Sequence, residues 1–129
     1  MNFLKGQILA FDKPYGWTSF QMVAKIRRLL TLRMDGVKIK VGHAGTLDPL
    51  ATGVMLVCTG RATKQIETLQ AGKKEYIATL RLGATTPSFD LEHSIDALYP
   101  TDHISENDVC RVLKQFEGDI NQVPPTFSA

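Results

Sequence analysis

Apolar positions recur along this chain with two different periods. Gln7-Ile8-Leu9-Ala10-Phe11 reads as a short strand, and Asp12-Lys13-Pro14-Tyr15-Gly16-Trp17 as a turn rich in helix breakers. From Thr18 the spacing changes. Phe20, Val23, Ala24, Arg27 and Leu30 repeat at three and four residues, which predicts an amphipathic helix to about Leu32. Thr18, with Gln21 three residues on, supplies a capping box for its start. Met34-Asp35-Gly36 turns the chain into Val37 to Val41, an alternating segment predicted as a strand with Lys38 and Lys40 on one side. Val54-Met55-Leu56-Val57-Cys58 is continuously apolar, as expected of a strand buried on both faces.

Beyond that run, Thr59-Gly60 leads into a short predicted helix from about Arg61 to Gln70, ended by Gly72. Lys73-Lys74-Glu75-Tyr76 opens another predicted strand, with Tyr76, Ala78, Leu80 and Leu82 on one face. Gly83 to Asp90 has loop composition, and Ile95 to Tyr99 is a candidate short strand. Ser105 with Asp108 marks a helix start, and Val109, Val112, Leu113 and Phe116 form the clearest helical stripe in the chain, closed by Gly118. Ile120 to Val123 is a candidate last strand. The expected class is α/β (α+β), with a mixed, largely antiparallel sheet and flanking helices.

Length and composition narrow the reading. A chain of 129 residues with 43% hydrophobic content is by default one globular domain, burying about two-thirds of its unfolded surface. Cys58 and Cys110 lie far apart and are expected to be buried free thiols in a reducing cytosol. No apolar run reaches membrane-spanning length, and Met1-Asn2-Phe3-Leu4-Lys5 begins no signal peptide, so a cytoplasmic protein without membrane contact is expected. The net charge of +2 hides a division. Residues 1–81 carry thirteen Lys or Arg against five acids, a net +8, while residues 82–129 carry two against eight, a net −6. Such asymmetry points to a polyanion partner for the first part.

The candidate chemistry lies between the two central strands, in Val41-Gly42-His43-Ala44-Gly45-Thr46-Leu47-Asp48-Pro49-Leu50-Ala51-Thr52-Gly53. Three glycines permit close approach of a bulky ligand, and Pro49 biases Asp48 toward extended backbone. A carboxylate held at the mouth of a buried strand suits catalysis. The plainer alternative is an Asp-Pro turn whose aspartate satisfies nearby amides, the commoner use of that pair. Several chemistries are excluded by pattern. The loop lacks the Gly-Lys-Ser/Thr ending of a phosphate-cradling P-loop, and there is no Gly-x-Ser-x-Gly elbow. His43, His93 and His103 are scattered and neither cysteine has ligand spacing, so no metal is expected. Gly42-His43-Ala44-Gly45 also matches the Gly-x-x-Gly loop of KH domains, a short pattern of little specificity, which keeps an RNA-binding module without catalysis as the alternative.

Residues Gly42 to Gly53 resemble, over twelve positions, the signature of the TruB family of tRNA pseudouridine synthases. Further similarities follow in order: Lys13-Pro14-Tyr15-Gly16-Trp17-Thr18-Ser19, Gly60-Arg61-Ala62-Thr63-Lys64, Lys73-Lys74-Glu75-Tyr76, and Pro124-Pro125-Thr126-Phe127-Ser128-Ala129, where Phe127 replaces the usual tyrosine. The resemblance implies the pseudouridine synthase catalytic fold and isomerisation of uridine to pseudouridine in the tRNA T-loop, with no cofactor and no obligate protein partner. It implies Asp48 as the catalytic aspartate and Tyr76 as the group stacked on the target base. It places His43, Gly42, Gly45, Thr46, Lys64, Lys13 and Asp90 among the substrate-binding residues. Leu50-Ala51-Thr52-Gly53 favours the stand-alone bacterial enzymes over the guide-RNA-dependent dyskerin type.

The chemistry fits the residues. A glycosidic bond must break, the uracil must turn and C5 must join the sugar; a carboxylate serves as nucleophile or base, and an aromatic platform offsets the stacking lost on flipping the base. Without the resemblance, Tyr76 reads as a half-buried strand tyrosine. Two departures stand out. Residues 83–93 keep the threonine-rich loop and Asp90, but Phe89, Leu91 and His93 replace an acidic, glycine-containing stretch. Family members also continue beyond the position of Ala129 with more sheet, a basic partner for the aspartate and a PUA domain. Residues 1–129 are thus expected to be the N-terminal portion of the catalytic domain, inactive alone.

Overall fold

Gly53–Thr59 (β3) is the middle strand of a three-stranded antiparallel sheet ordered β1-β3-β2, where β1 is Ile8–Lys13 and β2 is Val41–Ala44. The computed structural model describes residues 2–123, and its contacts divide into two units, Met1–Tyr76 and a second beginning at Ile77. The register pairs Phe11 with Met55, Leu9 with Val57, His43 with Val57 and Val41 with Thr59. Directly opposed residues share a face, so these side chains all point to one side of the sheet. Helix α1 (Ser19–Arg33) supplies the apolar side chains of that side: Met22, Val23, Ile26 and Leu30 form one core cluster with Ile39, Val41, Met55 and Val57. Each such buried aliphatic side chain contributes roughly 1.5–3 kcal/mol.

The capping box at Thr18 and Gln21 is present in both directions. The buried stripe is rotated from the predicted one, because Phe20 lies about 200° around the helix from Met22 and is 71% exposed. Val23 and Leu30 are buried as predicted, Met22 and Ile26 join them in the core, and Arg27 sits at the rim, where its guanidinium donates to the Val41 carbonyl at 3.1 Å.

The strand expected over Val37 to Val41 begins only at Val41. Its alternation is real, with Ile39 and Val41 buried and Lys38 and Lys40 exposed. The ladder, however, stops just before Val41: Lys40 O accepts from Gly60 N at 2.8 Å, and Gly60, at φ +51, then turns the chain away from Val37 to Ile39. Burial of β3 on both faces also holds only in part. Cys58 is enclosed, and Ile66 of helix α2 (Ile66–Gln70) lies over its cross-strand neighbour Gly42. Val54, at the other end, is 74% exposed. The predicted helix at 61–70 is a 3-10 turn, Gly60–Gln65, followed by α2.

No strand forms at 73–82: Tyr76, Ala78, Leu80 and Leu82 are all exposed, because alternation alone supplies no ladder partner. In the second unit, β4 (Ala84–Thr85) pairs antiparallel with β5 (Ala97–Leu98). Helix α3 (Glu106–Leu113) starts at the Ser105–Asp108 capping box and tightens into a 3-10 turn, Lys114–Phe116. Its stripe is not packed, with Val112, Leu113 and Phe116 exposed. Ile120 to Val123 forms no strand. Cys110 is exposed rather than buried, on a helix whose apolar stripe is itself unpacked; both thiols are free.

Candidate active site

The loop before β3 is held by residues on both sides of Asp48. Lys13 ends β1 fully buried, and its ammonium donates to Trp17 O at 2.6 Å, Pro14 O at 3.1 Å and Pro49 O at 3.4 Å. Three carbonyls match the three protons of an ammonium, which is how a buried lysine without a carboxylate partner is tolerated. Gly16 N donates to Pro49 O at 2.8 Å. On the other side, Ser19 at the start of α1 donates to Leu47 O and accepts from Leu47 N, both at 3.0 Å. Leu47 and Pro49 are thereby fixed to the turn before α1 and to its first residue, and Asp48 stands between them.

Asp48 begins a tight turn, with Ala51 N donating to Asp48 O at 3.0 Å. The Asp-Pro turn expected on plain grounds is therefore real in the backbone. The aspartate does not serve it, however: Asp48 is exposed, and among the described residues its carboxylate takes no hydrogen bond and no ion pair. A carboxylate rigid in its backbone and free in its oxygens is equipped to attack an electrophile or accept a proton.

His43 lies in β2 rather than in a loop, on the same face as Val41, with Nδ1 2.7 Å from Gly45 O. Gly42 faces Cys58 across the ladder, Gly45 turns at φ +102, and Thr46 is exposed beside Asp48. Lys74 passes close to Gly45, and its ammonium bonds Gln70 O and Gly72 O at the end of α2. Tyr76 follows two residues later, 67% exposed. Lys64 is exposed in the 3-10 turn, with no recorded bond to the Asp48 loop. Lys13 differs from its expected place among substrate contacts. Its burial leaves no surface for a ligand and makes it a tether of the loop.

Asp90 belongs to the second unit, in a polar knot between β4 and β5. Ser88 Oγ donates to its carboxylate at 2.6 Å, Glu92 N donates at 2.9 Å, and Thr86 Oγ1 donates to its carbonyl at 2.6 Å. The two bonds to the carboxylate, the Ser88 hydroxyl foremost and then the Glu92 amide, hold its pKa below the usual range. Ser88 has one proton and gives it to Asp90, so His93 Nδ1, 2.9 Å from the same hydroxyl, must be the donor there. Phe89 projects from the knot at φ +61.

Sequence reasoning assigned no role to Ser19 or Ser88. A serine just inside a capped helix, 28 positions from its partner, gave no local signal of what it binds. Pro124 to Ala129, the last similar motif, lies outside the described residues. Gly42–Gly45 runs from a strand into a turn, which excludes the helix-joining loop of a KH domain. Among the described residues no three His, Cys, Asp or Glu side chains gather as a metal set, and no helix is long and apolar enough to cross a membrane.

The chain is similar to known proteins. Residues 27–129 match the family model described as TruB family pseudouridylate synthase (N terminal domain). Over the whole chain, 62% of positions are identical to tRNA pseudouridine synthase B of Bacteroides fragilis, 55% of whose length is covered. The protein of the same name from Parabacteroides distasonis is 64% identical over the whole chain and 55% of its own length. That of Flavobacterium johnsoniae is 54% identical over 99% of this chain and 56% of its own. The chain thus spans about half the length of the curated relatives it matches.

Proposed function

Because the chain belongs to the TruB family of pseudouridylate synthases, we propose that it carries the catalytic aspartate of an enzyme that isomerises uridine to pseudouridine in the T-loop of tRNA. The observation that carries this reading is the Asp48 carboxylate, exposed and, among the described residues, unbonded between two tethered neighbours. In the reaction the N1–C1′ bond breaks, the uracil turns, C5 bonds to C1′, and the C5 proton is lost while N1 gains one. Nothing is oxidised, so no cofactor is called for. Asp48 supplies the nucleophile or base and Tyr76 the stacking platform for the flipped base. His43, Thr46 and the backbone at Gly42 and Gly45 line the approach, and Lys64 contributes positive charge; Asp90, in the second unit, is by itself a candidate substrate contact. Lys13 acts by holding the loop. A tRNA substrate places the work in the cytoplasm.

The test is to graft residues 1–129 in place of the matching segment of the Bacteroides fragilis relative and follow tritium release from a T-arm RNA labelled at uridine C5. Asp48→Asn keeps the turn but neither attacks nor accepts a proton, and is expected to lower release by roughly 10³-fold or more with RNA affinity within a few-fold. Release near that of the unsubstituted graft overturns the catalytic assignment, and binding without release from the unsubstituted graft leaves an RNA-binding module.

A further inference from the structure

Along the outer flank of α1 runs a shallow groove that the reaction chemistry does not use. One depression of about 640 Å³ is lined by Ala24, Arg27, Arg28, Thr31, Leu32 and Lys38 to Lys40. A second, of about 440 Å³, is lined by Gly16, Trp17, Gln21, Ala24, Lys25 and Arg28. Ala24 and Arg28 line both, so the two lie side by side along this flank.

Its charge is one-sided. From Thr18 to Leu47 the chain carries six Lys or Arg and a single acid, Asp35. Lys25, Arg28, Lys38 and Lys40 are exposed, and the only ion pair among the described residues is Arg111 with Asp108, in the second unit. A solvated helix face ordinarily mixes both signs, whereas α1 contains no acid at all. Ala24, Leu32 and Ile39 contribute apolar atoms to the lining, and Gly16 and Trp17 lie at one end. That end adjoins the catalytic loop, since Gly16 N is bonded to Pro49 O, one residue from Asp48.

We propose that this groove is a track for RNA phosphates, carrying the substrate backbone away from Asp48 along α1 toward Lys38 and Lys40. Guanidinium forks and ammonium groups beside apolar lining atoms suit a phosphodiester chain, whose charge they meet while the apolar atoms cover sugar faces. The proposal rests on the reading of the substrate as RNA and adds where its backbone runs.

The test is binding of a fluorescein-labelled T-arm stem-loop RNA to this chain, by anisotropy across a range of salt concentrations. The variant Arg28→Gln/Lys40→Gln changes two exposed side chains that make no hydrogen bonds among the described residues, so circular dichroism is expected to be unchanged. It is expected to weaken binding about tenfold near physiological salt and to reduce the slope of log K against log salt by roughly 2, one per lost phosphate contact. Arg28→Lys/Lys40→Arg keeps the charge and is expected to restore the slope. A charge-matched control off the groove, Lys5→Gln/Lys114→Gln, is expected to leave it unchanged. Equal slopes for the groove variant and the unsubstituted chain overturn the track, as does an equal loss in the control. Either result leaves the Asp48 assignment standing, because tritium release in the graft tests that separately; no RNA binding by the unsubstituted chain overturns the track and counts against an RNA substrate.

Discussion

Replacing Ser19 by alanine removes one oxygen from a position that is 3% exposed. That oxygen both donates to and accepts from Leu47, at 3.0 Å in each direction. A neutral hydrogen bond contributes about 1 kcal/mol net, and a buried donor left without an acceptor costs about 1–3 kcal/mol. At Leu47 N these describe the same event and are counted once; the Leu47 carbonyl, with two lone pairs, loses less. Alanine in the first helical turn returns up to about 0.5 kcal/mol of propensity. The net expectation is a loss of about 2 kcal/mol, confined to the tether of the Asp48 loop. Urea unfolding of this chain measures it. With a slope of about 2 kcal/mol/M, the midpoint falls by roughly 1 M at unchanged slope. Amide exchange supplies the local reading, with Leu47 N–H accelerated more than the β3 amides. A midpoint shift under about 0.2 M, together with unchanged exchange at Leu47, would refute the tether.

Two further outcomes follow from local geometry. Gly60→Ala places a methyl group against the Leu4 and Phe3 carbonyls at φ +51, whereas Gly36→Ala, at φ +86, meets nothing within 4 Å. Thermal unfolding should show Gly36→Ala costing about 1–2 kcal/mol, the left-handed penalty alone, and Gly60→Ala clearly more; equal losses contradict the packing at Gly60. Ser88→Ala removes the largest cause of the lowered Asp90 pKa, so carboxyl NMR titration should move Asp90 up toward the ordinary range. Since the folded pKa is the depressed one, whatever stability Asp90 contributes is present above the unfolded value and lost as pH falls through the folded value. An unmoved titration in the variant rules out the Ser88 bond as its cause.

Elements whose signals are local were legible in the sequence. The two capping boxes, at Thr18–Gln21 and Ser105–Asp108, form as their spacing dictates, because both partners lie within one turn. The strands at 8–13 and 53–59 and the helix between them were likewise legible. What failed depended on partners far along the chain. Val37–Lys40 alternates correctly, yet Val37 to Ile39 lack a ladder because β3 has already ended, and 73–82 alternates without any strand beside it. The face of α1 was misplaced for a related reason: Phe20 is apolar, but the sheet selects Met22 and Ile26. At the site, Asp48 and its loop stood out by residue type. That its rigidity comes from a buried ammonium and a serine hydroxyl did not, since neither bond is visible until residues 28 and 36 positions apart are brought together.

Those separations have a kinetic consequence. A bond across 36 residues forms only after the intervening chain has closed into a loop, and that entropy must be met before the contact contributes. The strand pairing of β1 with β3, which brings Lys13 opposite Gly53, is the same closure. Helix α1 and the turn that follows it are able to form early from neighbouring residues, but the shape around Asp48 is settled only when the two outlying ends of this segment meet. Intermediates that already contain α1 should therefore still hold Asp48 in a loose loop, and competence at the site should appear with the last phase of sheet assembly rather than with helix formation.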